Sequence, residues 1–241
     1  MFTQESHSSK NSDYFLIILH FVSINIIYEF SMTKIYKFQD DISADVLKKL
    51  EKYSNLAIDT EGSGLQIPHR DKLSLIQIST GNNDAYIIQP NRKNYKAPNI
   101  VKILENSKIT KIGHYLRYDI SGLEYFLKCN MQNIFDTKIA SKLCRTYSQY
   151  HGLKDLVSEF CGKKLDKRLG SSDWNKDLND LTDAQLQYCS NDVIYLHKLK
   201  EELYKMLVRE NRLELYEQTI QFLKTRIKLD QSGFTEDIFH H

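Results

Sequence analysis

Leu56-Ala57-Ile58-Asp59-Thr60-Glu61 is an apolar run that turns acidic at its end, and Gly62-Ser63-Gly64 then breaks the pattern. The apolar half is typical of a buried central strand, and the glycines are typical of a turn that ends one. Side chains alternate between the two faces of a strand, so Asp59 and Glu61 leave one face and Thr60 leaves the other. A strand end can border a cleft, which favours two metal ligands here. A simple polar strand end is the alternative interpretation.

Three strands joined by short turns are predicted to open the sheet. The strand above is followed by residues 73–79 and 85–89, with the turn signal Gly81-Asn82-Asn83-Asp84 between them. Such short connections predict antiparallel pairing. Helical and strand patterns alternate farther along the chain. We therefore predict an α/β fold, in which three antiparallel strands and then parallel strands form one mixed sheet flanked by helices.

The remaining elements follow from apolar spacing. Strands are predicted at 35–38 and 108–113, helices at 44–53, 100–104, 119–127 and 153–161, a strand and helix over 135–143, and a polar loop over 171–180. The best-defined helix begins at Thr182, which forms a capping-box pattern with Gln185. Its apolar stripe predicts one helix that continues through Leu186, Cys189, Val193, Leu196, Leu199 and Leu203.

Two further acidic blocks complete the pattern. Tyr188 and Asp192 stand four residues apart, so they share one face of the predicted helix. Asp119 falls near the start of another predicted helix, where the helix dipole favours a carboxylate. Burying several carboxylates together is costly unless cations neutralise them, and hard oxygen ligands suit magnesium or manganese better than zinc. Converging blocks would predict a divalent metal site, whereas each block alone also fits a surface or capping role.

The composition is that of an ordinary globular protein. The chain has 241 residues, of which 41% are apolar, and a formal net charge of +2. This length suits one substantial domain, and the near-neutral charge argues against a passive, charge-driven nucleic-acid coat. The cysteines form no CxxC pair, which argues against a zinc site or a disulfide framework. Reduced thiols in a cytoplasmic protein are the better interpretation.

The first 31 residues differ from the rest. Residues 14–30 are strongly apolar but are interrupted by His20, Asn25 and Glu29. The stretch is shorter than the ~20 residues of a comfortable membrane span, and it lacks the marks of a signal peptide. A weak anchor, an extra helix or strand, and a translated leader are the three interpretations, and Met32 favours the leader. We therefore separate an uncertain extension, 1–31, from one domain, 32–241, and expect no stable membrane association.

The three acidic blocks resemble the motifs of the DEDD 3′-to-5′ exonucleases, and the Tyr-x-x-x-Asp form of the third resembles their tyrosine subclass. Other stretches are similar to ribonuclease D, namely Phe135-Asp136-Thr137-Lys138-Ile139-Ala140, His151-Gly152-Leu153-Lys154-Asp155-Leu156, Ser171-Ser172-Asp173-Trp174 and Leu181-Thr182-x-x-Gln185-x-x-Tyr188. The resemblance covers residues 35–207 and implies a ribonuclease-H-like fold. Ribonuclease D typically continues into helical nucleic-acid-binding domains, so this chain resembles a short, single-domain form.

The resemblance also implies a role for each residue of the motifs. Asp59 would bridge two divalent ions, Mg²⁺ or Mn²⁺, about 3.5–4 Å apart. Glu61 and Asp192 would complete the site of the ion that holds the attacking water, and Asp119 would help to hold the second ion. Tyr188 would orient the water. The expected product is a 5′-mononucleotide released from a 3′ end.

Five residues are candidate substrate contacts. Thr60 lies within the first motif, and Leu65 beyond it could wedge between terminal bases. His114 could contact a phosphate, and Lys167 belongs to a basic segment suited to phosphates. Trp174 could stack on a base, although a place in the core is the alternative.

The prediction is thus a metal-dependent 3′-to-5′ exoribonuclease, with RNA favoured over DNA. The same carboxylates would serve DNA, and the sequence identifies no reader of the 2′-hydroxyl group. A catalytically silent nucleic-acid-binding module is the alternative from another class, and the intact metal ligands argue against it. One departure from the family concerns substrate contacts, because Tyr115 stands where the second motif often carries asparagine.

Overall fold

A six-stranded sheet carries the acidic residues in a computed structural model, which describes residues 33–64, 71–166, 168–170, 172–234 and 236–240. Its strands are β1 (Lys34–Gln39), β2 (Asn55–Gly62), β3 (Leu73–Ser79), β4 (Asp84–Gln89), β5 (Thr110–Gly113) and β6 (Ile134–Asp136). They lie in the order β1-β4-β3-β2-β5-β6, so β2, with the first acidic block, is an inner strand.

The strand directions match a ribonuclease-H-like sheet. β2, β3 and β4 pair antiparallel, whereas β5 pairs parallel with β2 and β6 pairs parallel with β5. The predicted mixed sheet is therefore confirmed. β1 joins the far edge parallel to β4, a pairing that the sequence pattern did not specify.

Helices cover both faces of the sheet. They are α1 (Ala44–Leu50), α2 (Pro98–Glu105), α3 (Arg117–Leu127), α4 (Thr137–Cys144), α5 (Leu153–Cys161), α6 (Asp183–Ile194), α7 (Leu196–Arg209) and α8 (Leu213–Gln231), with a 3₁₀ turn at Leu178–Asp180. Ile58 of β2 belongs to a core shared with α1, α2 and α3, and its neighbour Ala57 belongs to one shared with α4, α5 and α7. Side chains alternate between the two faces along β2, so Asp59 and Glu61 lie on the face of Ala57 and Thr60 lies on the face of Ile58.

The predicted long helix after Thr182 is wrong in one respect, because the structure divides it. The capping box of Thr182 and Gln185 is present, but α6 ends at Ile194 and α7 begins at Leu196. α6 packs on β2, β3 and β4, whereas α7 packs on α4 and α5. Because the helix breaks at Tyr195, the two halves of one apolar stripe pack on different surfaces, the sheet and the pair α4 and α5. Neither proline nor glycine marks this break in the sequence.

Several predictions concern residues outside the described part of the chain. These are the interpretation of residues 1–31 and the substrate contacts assigned to Leu65 and Lys167. All four cysteines, Cys129, Cys144, Cys161 and Cys189, are described and are free thiols. Among the described residues, no helix is long and apolar enough to cross a membrane.

Candidate active site

Three carboxylates converge at the end of β2. Asp59 and Glu61 extend from one face of that strand, and Asp192 reaches them from α6. One oxygen from each lies within 4.8 Å of the other two. All three residues are partly buried. Three oxygens at this spacing can coordinate a single divalent ion.

A β-bulge ends β2 at the site. The pairing with β3 shifts register between Glu61 and Gly62. A Cβ atom on Gly62 would lie 2.8 Å from the carbonyl oxygen of Lys72, so glycine is needed for this close approach of two backbones. Bulges bend a strand and redirect side chains, and this one follows directly on the second metal ligand.

Asp119 approaches from the opposite face of β2. It lies in the first turn of α3 and is 8% exposed. Its Oδ1 accepts a hydrogen bond of 2.6 Å from the hydroxyl of Thr60. Burial raises the pKa of Asp119 to about 6, although the bond from Thr60 opposes that shift. Thr60, predicted as a substrate contact, here orients Asp119.

The electrostatics of the cluster fit a divalent cation. Burial, together with the negative charges of Asp192 and Asp119, raises the pKa of Glu61 to about 9. A cation among these oxygens would remove the repulsion and restore the ionised form of Glu61. The donor set is all carboxylate, which is the chemistry that magnesium and manganese prefer.

Tyr188 lies one helical turn before Asp192 and faces the same cleft. Burial raises the pKa of its phenol above the ordinary value, and Asp192, Glu61 and Asp59 raise it further by their charge. The phenol therefore remains protonated at neutral pH and can donate a hydrogen bond, but it cannot act as a base.

Trp174 lies in the core and does not border the cleft. The side chain is 2% exposed, and its ring packs against that of Tyr188 with the centroids 5.8 Å apart. The predicted base-stacking role would require the buried indole to leave this cluster, so the structure favours the alternative. Trp174 instead stabilises the position of the Tyr188 ring by packing against it.

The cleft has a volume of about 450 Å³. Its lining includes two side chains to which the sequence analysis assigned no role, those of Lys72 and Tyr118. His114 borders it as expected, with Nδ1 3.0 Å from the hydroxyl of Thr137. Tyr115, which also lines it, has a φ of 66°, which a bulky residue rarely adopts. Asparagine would adopt that conformation with less strain. The ammonium of Lys138 lies 3.8 Å from the centre of the Tyr115 ring.

Asp136 fixes the loop on which these residues stand. Its carboxylate is fully buried and accepts hydrogen bonds from the backbone N–H groups of Tyr115, Leu116, Lys138 and Ile139, at 2.8–3.2 Å. Asp136 is also the N-cap of α4. Asp136 therefore both begins α4 and supports the loop before α3.

A site of this kind on a ribonuclease-H-like sheet defines a metal-dependent 3′-5′ exonuclease. A family model described as 3′-5′ exonuclease matches residues 36–208. The chain belongs to that family, and it is a ribonuclease D-like member.

Two relatives of known sequence illustrate the family. DNA polymerase I of Aquifex aeolicus is 35% identical over 187 residues, which are 75% of this chain and 28% of that protein. Ribonuclease D of Shewanella sp. is 32% identical over 159 residues, 65% of this chain and 39% of that protein. The chain thus spans well under half the length of either relative.

A solved relative matches over nearly its whole length. Brucella melitensis NrnC with bound Mg²⁺ is 41% identical with a TM-score of 0.79, and the match covers 86% of this chain and 99% of that one. The same protein bound to pGG is 42% identical with a TM-score of 0.80, covering 88% and 100%.

The raised pKa of Glu61 leads to a prediction for stability. Without metal, folded Glu61 keeps a proton between about pH 4.5 and 9 that the unfolded chain has lost, so the free energy of unfolding falls as pH rises through that window. Glu61→Gln should therefore raise the melting temperature in EDTA at pH 8, by roughly 3–10 °C, and have little effect near pH 4. Thermal unfolding measured from pH 4 to pH 8 checks this.

With magnesium, wild type should have the higher melting temperature of the two proteins. The ion stabilises the ionised Glu61 carboxylate of wild type, and the variant lacks that ligand. Glu217→Gln, at an exposed position of α8, is the matched control and should change neither curve. A metal-free wild type whose melting temperature rises steadily from pH 5 to pH 8 would contradict the prediction.

Proposed function

We propose that this protein degrades RNA from the 3′ end and releases 5′-mononucleotides, with two divalent ions, Mg²⁺ or Mn²⁺, in the site. The observation that carries the proposal is the convergence of Asp59, Glu61 and Asp192, with Tyr188 beside them and Asp119 across the strand. Bound divalent ions would acidify a water molecule and stabilise the charge of the leaving oxygen. Asp59, Glu61 and Asp192 would hold the ion near the water.

The other residues divide the remaining work. Asp119, oriented by Thr60, would contribute to the second ion from the far face of β2. Tyr188 would donate its hydrogen bond to the water and hold it in line with the phosphorus atom, because its proton is retained at neutral pH. His114 borders the same cleft and would contact a substrate phosphate.

The names of the relatives support RNA as the substrate. Ribonuclease D relatives match this chain, and NrnC was solved with pGG in its structure. The similarity to a DNA polymerase I favours DNA as the second candidate. Free thiols at all four cysteines support a cytoplasmic location as part of the proposal.

The test is a gel assay with single-stranded RNA and DNA of the same sequence, each labelled at the 5′ end. Both are incubated with Mg²⁺, Mn²⁺ or EDTA. The proposal expects a ladder that shortens from the 3′ end only when metal is present, and faster on RNA. Faster cleavage of DNA would select the second candidate, and cleavage in EDTA would exclude the metal mechanism.

Tyr188→Phe should lower kcat by about 10–100-fold, because the water loses one orienting hydrogen bond. The affinity for metal should stay nearly unchanged, since the carboxylates are intact. Tyr195→Phe, at the junction of α6 and α7, removes a hydroxyl outside the cleft and serves as the control. Single-turnover rates at saturating Mg²⁺ measure the effect, and an unchanged rate would remove the tyrosine from the mechanism.

A further inference from the structure

The last helix, α8, lies outside the region matched by the family model, yet it contacts the helix that bears Asp119. Leu223 and Ile227 belong to the core on the α3 side of the sheet, whereas Tyr216 belongs to the core on the other side. α8 therefore runs past the β6 edge and joins the two layers. Near one end α8 makes a polar contact with the start of α3, and near the other end it makes one with Asp136, which in turn bonds to the residue before α3.

The first contact is a bidentate ion pair. Arg117 donates from Nε to Asp230 Oδ2 at 2.6 Å and from Nη2 to Oδ1 at 2.5 Å. Arg117 and Asp119 share the first turn of α3. The two side chains of the pair are 23% and 17% exposed, so the pair is shielded better than a surface ion pair. A fork of this kind fixes orientation as well as distance.

The second contact passes through Asp136. The hydroxyl oxygen of Tyr216 accepts the backbone N–H of Asp136 at 2.8 Å, and the tyrosine is 4% exposed. The Asp136 carboxylate in turn accepts the N–H of Leu116, the residue that precedes α3, at 2.8 Å. The base of α8 thus supports the chain immediately before the first turn of α3.

These contacts hold a helix start that has no side-chain cap. Leu116, at the N-cap position of α3, makes no side-chain capping bond. An uncapped first turn leaves backbone N–H groups without partners and frays easily. A metal ligand in that turn must stay within about 0.5 Å of its working position. Asp119 stands where the helix is least able to hold it alone.

We propose that α8 is a positioning element for the metal site: Asp230 and Tyr216 fix the first turn of α3 and so set the affinity for the ion that Asp119 helps to hold. The inference rests on the proposed function only for the catalytic role of that ion, because the affinity for the ion is measured without substrate. Asp230 and Tyr216 are positioning residues, because neither lines the cleft.

The test compares Asp230→Ala with Asp230→Glu in the full chain. The alanine removes both acceptors, whereas the glutamate keeps a carboxylate for Arg117. Glu159→Ala is the matched control, because it breaks another pairing of an arginine with a carboxylate, Arg145 with Glu159, that does not involve α3. Each protein is measured for its melting temperature as Mg²⁺ is titrated, and for its rate at each Mg²⁺ concentration.

We expect Asp230→Ala to raise the Mg²⁺ concentration at half-maximal rate by about 10-fold, with kcat at saturating Mg²⁺ and the KM for RNA nearly unchanged. Its thermal stabilisation by Mg²⁺ should shift to higher concentration by the same factor. Asp230→Glu should recover most of the shift. Glu159→Ala should lower the melting temperature without moving either Mg²⁺ curve.

The inference fails if Asp230→Ala and wild type share one Mg²⁺ curve, or if Glu159→Ala shifts that curve equally, which would indicate a general loss of stability. The proposed function fails separately, by absence of cleavage in wild type. In that case the thermal titration still decides the role of α8, because it requires no substrate.

Discussion

Asp59→Asn is expected to lose at least about 10³-fold in kcat, equivalent to roughly 4 kcal/mol of transition-state stabilisation. Asp59 is an acidic residue of the central strand whose oxygen lies within 4.8 Å of oxygens of both Glu61 and Asp192. The amide keeps the size of the side chain but removes the negative charge that a divalent ion requires. Single-turnover cleavage of labelled RNA at saturating Mg²⁺ measures the loss.

The control is Asp183→Asn, an exposed aspartate in the first turn of α6, the helix that bears Asp192. It should retain the wild-type rate. Because Asp59→Asn also relieves repulsion among carboxylates, its melting temperature in EDTA should equal or exceed that of wild type. A variant that is inactive and also destabilised would instead indicate that Asp59 has a structural role.

Asp136→Ala is expected to cost about 3–5 kcal/mol of folding free energy, a fall of roughly 6–20 °C in melting temperature. The substitution leaves four backbone N–H groups, buried or partly buried, without their shared acceptor. Two of them hold the loop before α3, and two begin α4. Chemical denaturation, with the midpoint and slope fitted together, measures the loss.

Ser43→Ala provides the scale for this effect. Ser43 caps α1 at an exposed position through one hydrogen bond, to the N–H of Val46 at 3.3 Å, so its loss should cost about 1 kcal/mol. Equal costs for the two variants would mean that the buried carboxylate is no more than an ordinary cap.

The sequence was sufficient for features that depend on local pattern. Short connections, with the Gly-Asn-Asn-Asp turn, predicted the antiparallel strands, and the spacing of Tyr188 and Asp192 placed both on one helix face. The Thr182 capping box was predicted from four residues. In each case the interaction that decides the structure joins residues close in the chain.

Features that depend on distant contacts were missed or misjudged. The division of the helix at Tyr195 follows from two surfaces against which its halves pack, and neither surface is encoded locally. Trp174 is buried because β3 and β4 supply a pocket about a hundred residues earlier in the chain. The two residues of the bidentate pair, Arg117 and Asp230, are 113 residues apart in the sequence, and no local pattern predicts their contact.

Thr60 and Asp119 meet on the face of Ile58, whereas Asp59 and Glu61 share the face of Ala57 and Asp192 lies on α6. The half of the site with Asp119 therefore depends on a different hydrophobic core from the other half. In genetic terms, the cores beneath the two halves are independent targets for conditional mutations. A temperature-sensitive lesion beneath α3 would impair one half, and a lesion beneath α6 would impair the other. Pairs from opposite layers should combine additively in stability, yet on the proposed function every such allele would present the same phenotype, loss of 3′-end trimming.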